Sequence, residues 1–315
     1  MFTILFIVFG LVIFEIVNSV DNAIVNAHVL RTMSVRARKW FLIWGIFTAV
    51  VVVRGLLPLL IVWIASPGIS FMRSVQAILG NDPVARAAMD SSSYILLIGG
   101  GIFLLLLYLH WLFLEKKEPF FYTDKFVRPN FGIWFFGFAA LLLVALLWFA
   151  RENPFAMLGA AVGNAAFFIL YGFRETAEKE EKILESSAKS DLSKLMFLEV
   201  LDVSFSIDAV LGAFAFTTNV LFIFIGLGIG ALVVRELTIK GVDHVAKYKW
   251  LKNGAMTSIG FLGTFMILKS FGVHIPEWVP TITTVLVVGL TFFASHRYLQ
   301  KFSSKTLDTK LEKKV

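Results

Sequence analysis

The 315-residue chain has no cysteine and only five histidines, and Asp, Glu, Lys and Arg together make up just 16% of it. The missing cysteine excludes disulfides and thiolate-held metal, while leaving the compartment open. No histidine begins an HExxH zinc motif, and neither a GxSxG serine elbow nor a GxGD intramembrane-protease motif occurs. Gly99-Gly100-Gly101 is not followed by Lys-Ser/Thr, which excludes a phosphate loop. Charge this sparse also excludes an ordinary soluble domain, in which about a quarter of the residues are charged.

Apolar sequence takes the place of charge. Hydrophobic residues form 58% of the chain, the mean hydropathy is +0.80, and several apolar runs reach the ~20 residues that span a bilayer. The pattern predicts an all-α, polytopic membrane protein of about nine helices, over residues 3–30, 40–65, 92–114, 131–150, 155–172, 195–217, 219–238, 251–270 and 279–299. With the N-terminus outside, 24 of the 29 Lys and Arg fall on the cytoplasmic side. Arg73, Arg86, Arg151 and Lys269 lie outside, and Arg54 within the membrane. Positive charge marks cytoplasmic loops, so this asymmetry predicts an N-out, C-in protein. It also accounts for the net charge of +7 without nucleic acid as a partner. The first segment lacks a basic n-region and carries Glu15, so it is expected to be retained rather than cleaved. Trp40, Trp44, Trp63, Trp111, Trp134 and Trp148 lie near the expected helix ends, as an aromatic belt would.

Two helices are polar where they should be apolar. "LVIFEIVNSVDNAIVNAHVL", Leu11–Leu30, carries Glu15, Asn18, Ser19, Asp21, Asn22 and Asn26. "LEVLDVSFSIDAVLGAF", Leu198–Phe214, carries Glu199, Asp202, Ser206 and Asp208. Ser-x-Asp recurs in both, each after an upstream glutamate. In the helix that follows each one, a glycine precedes an arginine by nine residues: Gly45 and Arg54, then Gly226 and Arg235. This order predicts an internal duplication. Because the copies enter the membrane from opposite sides, it would be an inverted-topology repeat with a site near the midplane. The expected division is a first repeat at 1–114, connecting helices at 115–172 and a charged cytoplasmic linker at 173–194. A second repeat with a ninth helix follows at 195–299, then a basic, disordered tail at 300–315. The Gly159/Gly163 and Gly226/Gly230 spacings read as close helix packing.

A carboxylate at mid-bilayer costs at least ~2.5 kcal/mol unless it faces a partner or a wet cavity. At 100° per residue Glu15, Asn18, Ser19, Asn22 and Asn26 share one stripe, and Glu199, Asp202 and Ser206 form another. Asp21 and Asp208 lie off these stripes. Either they face other helices, or both helices break at the serines and turn them inward. Facing stripes would offer an all-oxygen, anionic site suited to Mn²⁺, Mg²⁺ or Ca²⁺. The candidate ligands are Glu15, Asn18, Ser19, Asp21, Asn22, Glu199, Asp202, Ser206 and Asp208, with Arg54 and Arg235 balancing charge.

"SVDNAIV" after a glutamate, followed by "EVLDVSFSIDAV", resembles the TerC/Alx family of integral membrane proteins, closest to its unknown-function branch with the EVLD-type motif. The resemblance implies export of Mn²⁺ or a related divalent ion across the bacterial cytoplasmic membrane. It also implies a link to metal loading of secreted enzymes, and to tellurite resistance. Asp208-Ala209 stands where many members carry Asp-Ser, which removes one oxygen. The expected function is therefore carriage of a divalent cation, Mn²⁺ favoured, with protons as counter-ion and with lipid and a membrane or secreted protein as partners. The rival readings are a scaffold that hands metal to a partner without transporting it, and an enzyme using Asp21 and Asp208 as an acid–base pair. A carrier is expected to have no enzymatic activity.

Overall fold

The computed structural model describes residues 2–312 except 46, 67, 128–131, 187–189 and 241–246; at 21, 42, 177–186, 239–240 and 302–312 only the backbone is described. Among the described residues there are helices and no strands. In chain order they are α1 (Phe2–Asn18), α2 (Val20–Arg31), α3 (Val35–Trp40), two π-helical stretches (Phe41–Gly45 and Thr48–Leu56), α4 (Leu57–Ile64), α5 (Phe71–Ile78), α6 (Pro83–Ser91) and α7 (Ser93–Leu114). They continue as α8 (Tyr122–Phe126), α9 (Gly132–Phe149), α10 (Pro154–Ser186), α11 (Asp191–Ala213), α12 (Val220–Lys240), α13 (Leu251–Ser270) and α14 (Trp278–Glu312).

All nine expected segments fall on helix. Among the described residues, six stretches are long and apolar enough to cross a bilayer: Val35–Ile64, α7, α9, Pro154–Thr176, Val220–Thr238 and Trp278–Lys301. The bent pair α1–α2 would make a seventh, and the protein is a polytopic membrane protein. The other two, α11 and α13, are 23 and 20 residues long but too polar to pass on composition. Their burial supplies the reason. α13 buries Asn253, Gly254, Ser258, Gly260 and Gly263, because a helix surrounded by other helices packs through small and hydrogen-bonding residues rather than through lipid-soluble ones.

The core sits around α7. Nearly three-quarters of it (72%) is buried, against 17% of α9, which therefore lies at the lipid-facing rim. Three consecutive glycines let two helices close on α7 from different sides. Gly99 faces the Gly159 backbone of α10, and Gly101 faces Gly263 and Ile267 of α13. Gly163 abuts the Gly99 carbonyl so closely that any side chain there would collide with backbone. Gly163→Leu should therefore separate α7 from α10 and cost about 1–3 kcal/mol by overpacking, read as a lowered Tm in detergent. Gly137→Leu is the control, since nothing lies within 4 Å of a side chain there. Equal melting of the two variants would refute this packing.

The charged linker at 173–194, read as a helical one, is continuous with α10 as far as Ser186. Two expectations change, at the C-terminal tail and at Trp111. The tail expected to be disordered remains helical to Glu312, as no glycine or proline follows Gly289 to stop it. Trp111, assigned to the aromatic belt, is fully buried against the core, whereas Trp40, Trp44, Trp134 and Trp148 are exposed as expected. The stretch between the second and third segments folds into the short helices α5 and α6. Asp82 caps α6 through the Ala85 N–H (2.9 Å) and pairs with Arg73 (2.9 Å). Arg73 first, and that N–H second, hold the Asp82 carboxyl below its ordinary range.

Candidate functional site

The site begins at a break. The axes of Phe2–Asn18 and Asn22–Arg31 differ by 51°, and Ser19 joins them with φ −92° and ψ 3°. Neither glycine nor proline causes the bend. The Ser19 hydroxyl donates to the Glu15 side chain at Oε1 (2.9 Å), which ties the bend to the buried carboxylate. The second Ser-x-Asp behaves differently. α11 runs unbroken through Ser206, whose hydroxyl donates to the Asp202 carbonyl one turn back (2.6 Å).

Glu15 has no solvent exposure, and it is held by Arg54. Nη2 and Nε of Arg54 donate to Glu15 Oε1 at 2.5 and 3.1 Å, and Nη1 donates to the Ala49 carbonyl at 2.7 Å. The same Nη1 lies 4.0 Å from Asp202 Oδ2. Asp202 Oδ1 accepts from Asn22 Nδ2 (2.7 Å), joining residues 180 apart in sequence. Between these groups lies a void of ≈20 Å³, lined among others by Ser19, Asn22, Asn26, Arg54, Asp202 and Arg235. That is room for about one water or one dehydrated ion. Glu15 Oε2, Asn22 Oδ1 and Asn26 Oδ1 are buried acceptors with no hydrogen-bond partner among the described residues. Buried acceptors are normally satisfied, so the oxygens of Asn22 and Asn26, which line the void, mark capacity for a ligand or water there; Glu15 lies behind Arg54 and does not line it.

The second half sets its own glutamate beside its own arginine, with Glu199 Oε1 accepting no hydrogen bond among the described residues. Glu199 and the Arg235 guanidinium converge beside Gly45, where a side chain would meet both. Arg235 also donates to the Phe41 carbonyl (3.2 Å) and lies over the Phe41 ring (4.0 Å). Conversely Gly230 of α12 lies against the Glu15 side chain, and Gly226 against Leu11. The glycine-bearing helix of each half thus packs on the acidic helix of the other. The Gly226/Gly230 and Gly159/Gly163 pairs both serve close packing, as expected.

Asp208 and Asn18 part from the rest. Asp208 Oδ2 pairs with Arg174 Nη1 (2.8 Å), and Arg174 Nη2 donates to the Ser204 carbonyl (2.6 Å). Both residues line a separate cavity of ≈730 Å³, together with Asn18. Of the two routes open to the off-stripe aspartates, Asp208 therefore takes the first and faces another helix. The Asp21 side chain lies outside the described residues. Among those described, Glu15, Ser19, Asn22 and Asp202 come together, with Arg54 at their centre. Glu199 stands beside Arg235, and Ser206 turns to its own helix. Among the described residues, which leave out the Asp21 side chain, no three His, Asp or Glu side chains gather as a metal-holding group. The residue missed in the sequence is Arg174, which looked like one more cytoplasmic basic residue and instead neutralises a buried acid.

A family described as "Protein of unknown function (DUF475)" matches residues 20–301, most of the chain, including the second acidic helix and the part of the first that follows Ser19. The chain belongs to the DUF475 family. Among curated proteins this DUF475 protein is 26% identical over 150 residues to the UPF0053 inner membrane protein YgdQ of Escherichia coli K12, and equally to the YgdQ proteins of the O6:H1 and O157:H7 strains. The match covers 43% of this chain and 63% of theirs, so it spans under two-thirds of each relative. No solved structure matches it. The family carries a description of unknown function rather than the TerC/Alx name.

Proposed function

We propose that this DUF475 protein is a multi-pass bacterial inner-membrane transporter for a hard divalent cation, Mn²⁺ ahead of Ca²⁺ or Mg²⁺, driven outward by exchange for protons. One observation carries the reading. Glu15 and Asp202, from helices in opposite halves of the chain, share the Arg54 guanidinium beside an ion-sized void with partnerless oxygens, next to a helix break. Buried charge of this kind is costly in a membrane and marks ion pathways, and broken helices are a transporter device for exposing oxygens to cations. Oxygen donors without sulfur suit a hard cation. In the state described, Arg54 occupies the carboxylates, and the substrate ion would compete with it. Clustered acids that lose a metal can take up protons instead, which supplies the exchange.

Cross-packing of the two halves supports the inverted repeat: α1 against α12, and α11 against Thr48–Leu56. The basic asymmetry supports N-out, C-in orientation, and the YgdQ relatives, inner membrane proteins by name, support the compartment. The resemblance to TerC/Alx supports Mn²⁺ and the outward direction.

Purified protein in liposomes tests the proposal, with Mn²⁺, Ca²⁺, Mg²⁺ and Zn²⁺ offered in turn. Mn²⁺ flux stimulated by an opposing proton gradient is expected. Absence of flux for all four ions would leave the scaffold reading in its place.

A further inference from the structure

α11 is a wall with a carboxylate on each face. Its Asp202 lines the ≈20 Å³ void, and its Asp208, Leu201 and Phe205 line the ≈730 Å³ cavity. Six residues separate the two aspartates, which places them about 120° apart around the helix at 3.6 residues per turn. The α1–α2 break has the same two-sided character: Asn18 lines the large cavity, Ser19 and Asn22 the small void. The two spaces therefore meet the same two elements from opposite sides, and the break lies between them.

The large cavity has a mixed lining. Glu115, Lys116, Glu175 and Lys252 contribute charged groups, in segments whose basic residues place them toward the cytoplasm. Phe103, Leu107, Phe167, Leu170 and Phe205 contribute apolar walls, and Asp208 with Arg174 contributes charge. At ~30 Å³ per water the space admits on the order of twenty waters, enough for a cation with its hydration shell. Asp208 is 4% exposed, and its Oδ1 has no hydrogen-bond partner among the described residues. Arg174 holds only the other oxygen. Its own Nε is likewise without a partner, and its guanidinium lies over the Phe205 ring at 4.8 Å. A buried carboxylate half-satisfied by an arginine, in a space of this size, is a cation site already filled by a tethered cation.

We propose that the ≈730 Å³ cavity is a water-filled vestibule open to the cytoplasm, in which Arg174 holds Asp208 until a hydrated divalent cation displaces it. Arg174 is then a positioning residue that sets the concentration at which the ion enters. The nature of the ion rests on the transport reading above; the vestibule itself does not.

The chain has no cysteine, so single cysteines report on the vestibule directly. Leu170 lines the cavity, while its neighbour Ile169 is 71% exposed on the outer surface of the bundle, toward lipid. Leu170→Cys should react with a membrane-impermeant thiosulfonate in inside-out vesicles and not in right-side-out vesicles, while Ile169→Cys should react in neither. Labelling of Leu170→Cys no faster than of Ile169→Cys, or only from the outside, overturns the vestibule. For Arg174, Mn²⁺ is titrated against detergent-solubilised protein by paramagnetic resonance. Arg174→Gln should tighten binding about tenfold, the scale of one charge-assisted contact. Arg174→Lys should stay near the parent protein, and Asp208→Asn should remove the gain. Unchanged binding in Arg174→Gln, or no binding in any form, overturns the role given to Arg174. Labelled vestibule cysteines in a protein that carries no ion across liposomes would retain the vestibule and reject the transport reading.

Discussion

Arg54→Gln should lower the stability of the protein by about 3–5 kcal/mol, the cost of breaking a buried ion pair by removing one partner. The substitution leaves Glu15, with no solvent exposure, facing an uncharged amide. It also removes the only cation within 4.0 Å of Asp202 among the described ion pairs. The size of the loss comes from what is stranded rather than from the bond itself. Removing both partners should therefore be far milder: Glu15→Gln with Arg54→Gln should recover most of the lost Tm, because neither charge is then left buried alone. Tryptophan fluorescence during heating in detergent reads both variants. A single mutant that melts with the parent protein would show that Glu15 is neutralised by something other than Arg54.

Asp202→Asn should separate function from folding. The amide oxygen still accepts from Asn22 at the 2.7 Å contact, and Asp202 sits at the far edge of the Arg54 guanidinium, so stability should change little. Cation flux in liposomes should fall about 10–100-fold, the scale of one lost charged contact at 1.4 kcal/mol per decade. Parent-like flux from a well-folded Asp202→Asn protein would remove this residue from the ion path.

The architecture was readable because lipid imposes few solutions. A chain 58% hydrophobic with about 20-residue apolar runs must bury its backbone polar groups in helices. All nine predicted segments are helical, and Glu15, Ser19, Asn22 and Asp202, chosen because polar residues are expensive there, do meet. Composition could not reveal which residues of α11 and α13 would be buried, since that depends on which helices surround them. Nor could it decide between a broken and an unbroken Ser-x-Asp helix. The motif is the same at Ser19 and Ser206, but one hydroxyl donates to a side chain at a bend and the other to its own helix backbone.

Sequence by itself determined the class of protein, the helical segments and the acidic residues that needed partners, because those follow from the transfer cost of each side chain into lipid. Only the tertiary structure decided which cation each acid received. Glu15 took Arg54, 39 residues away and within the same half. Asp208 took Arg174, from a helix that had looked like a connector. A side chain's cost is set by its own chemistry and travels with the sequence; its compensation is set by which guanidinium lies within a few ångströms, and that exists only once the helices have packed.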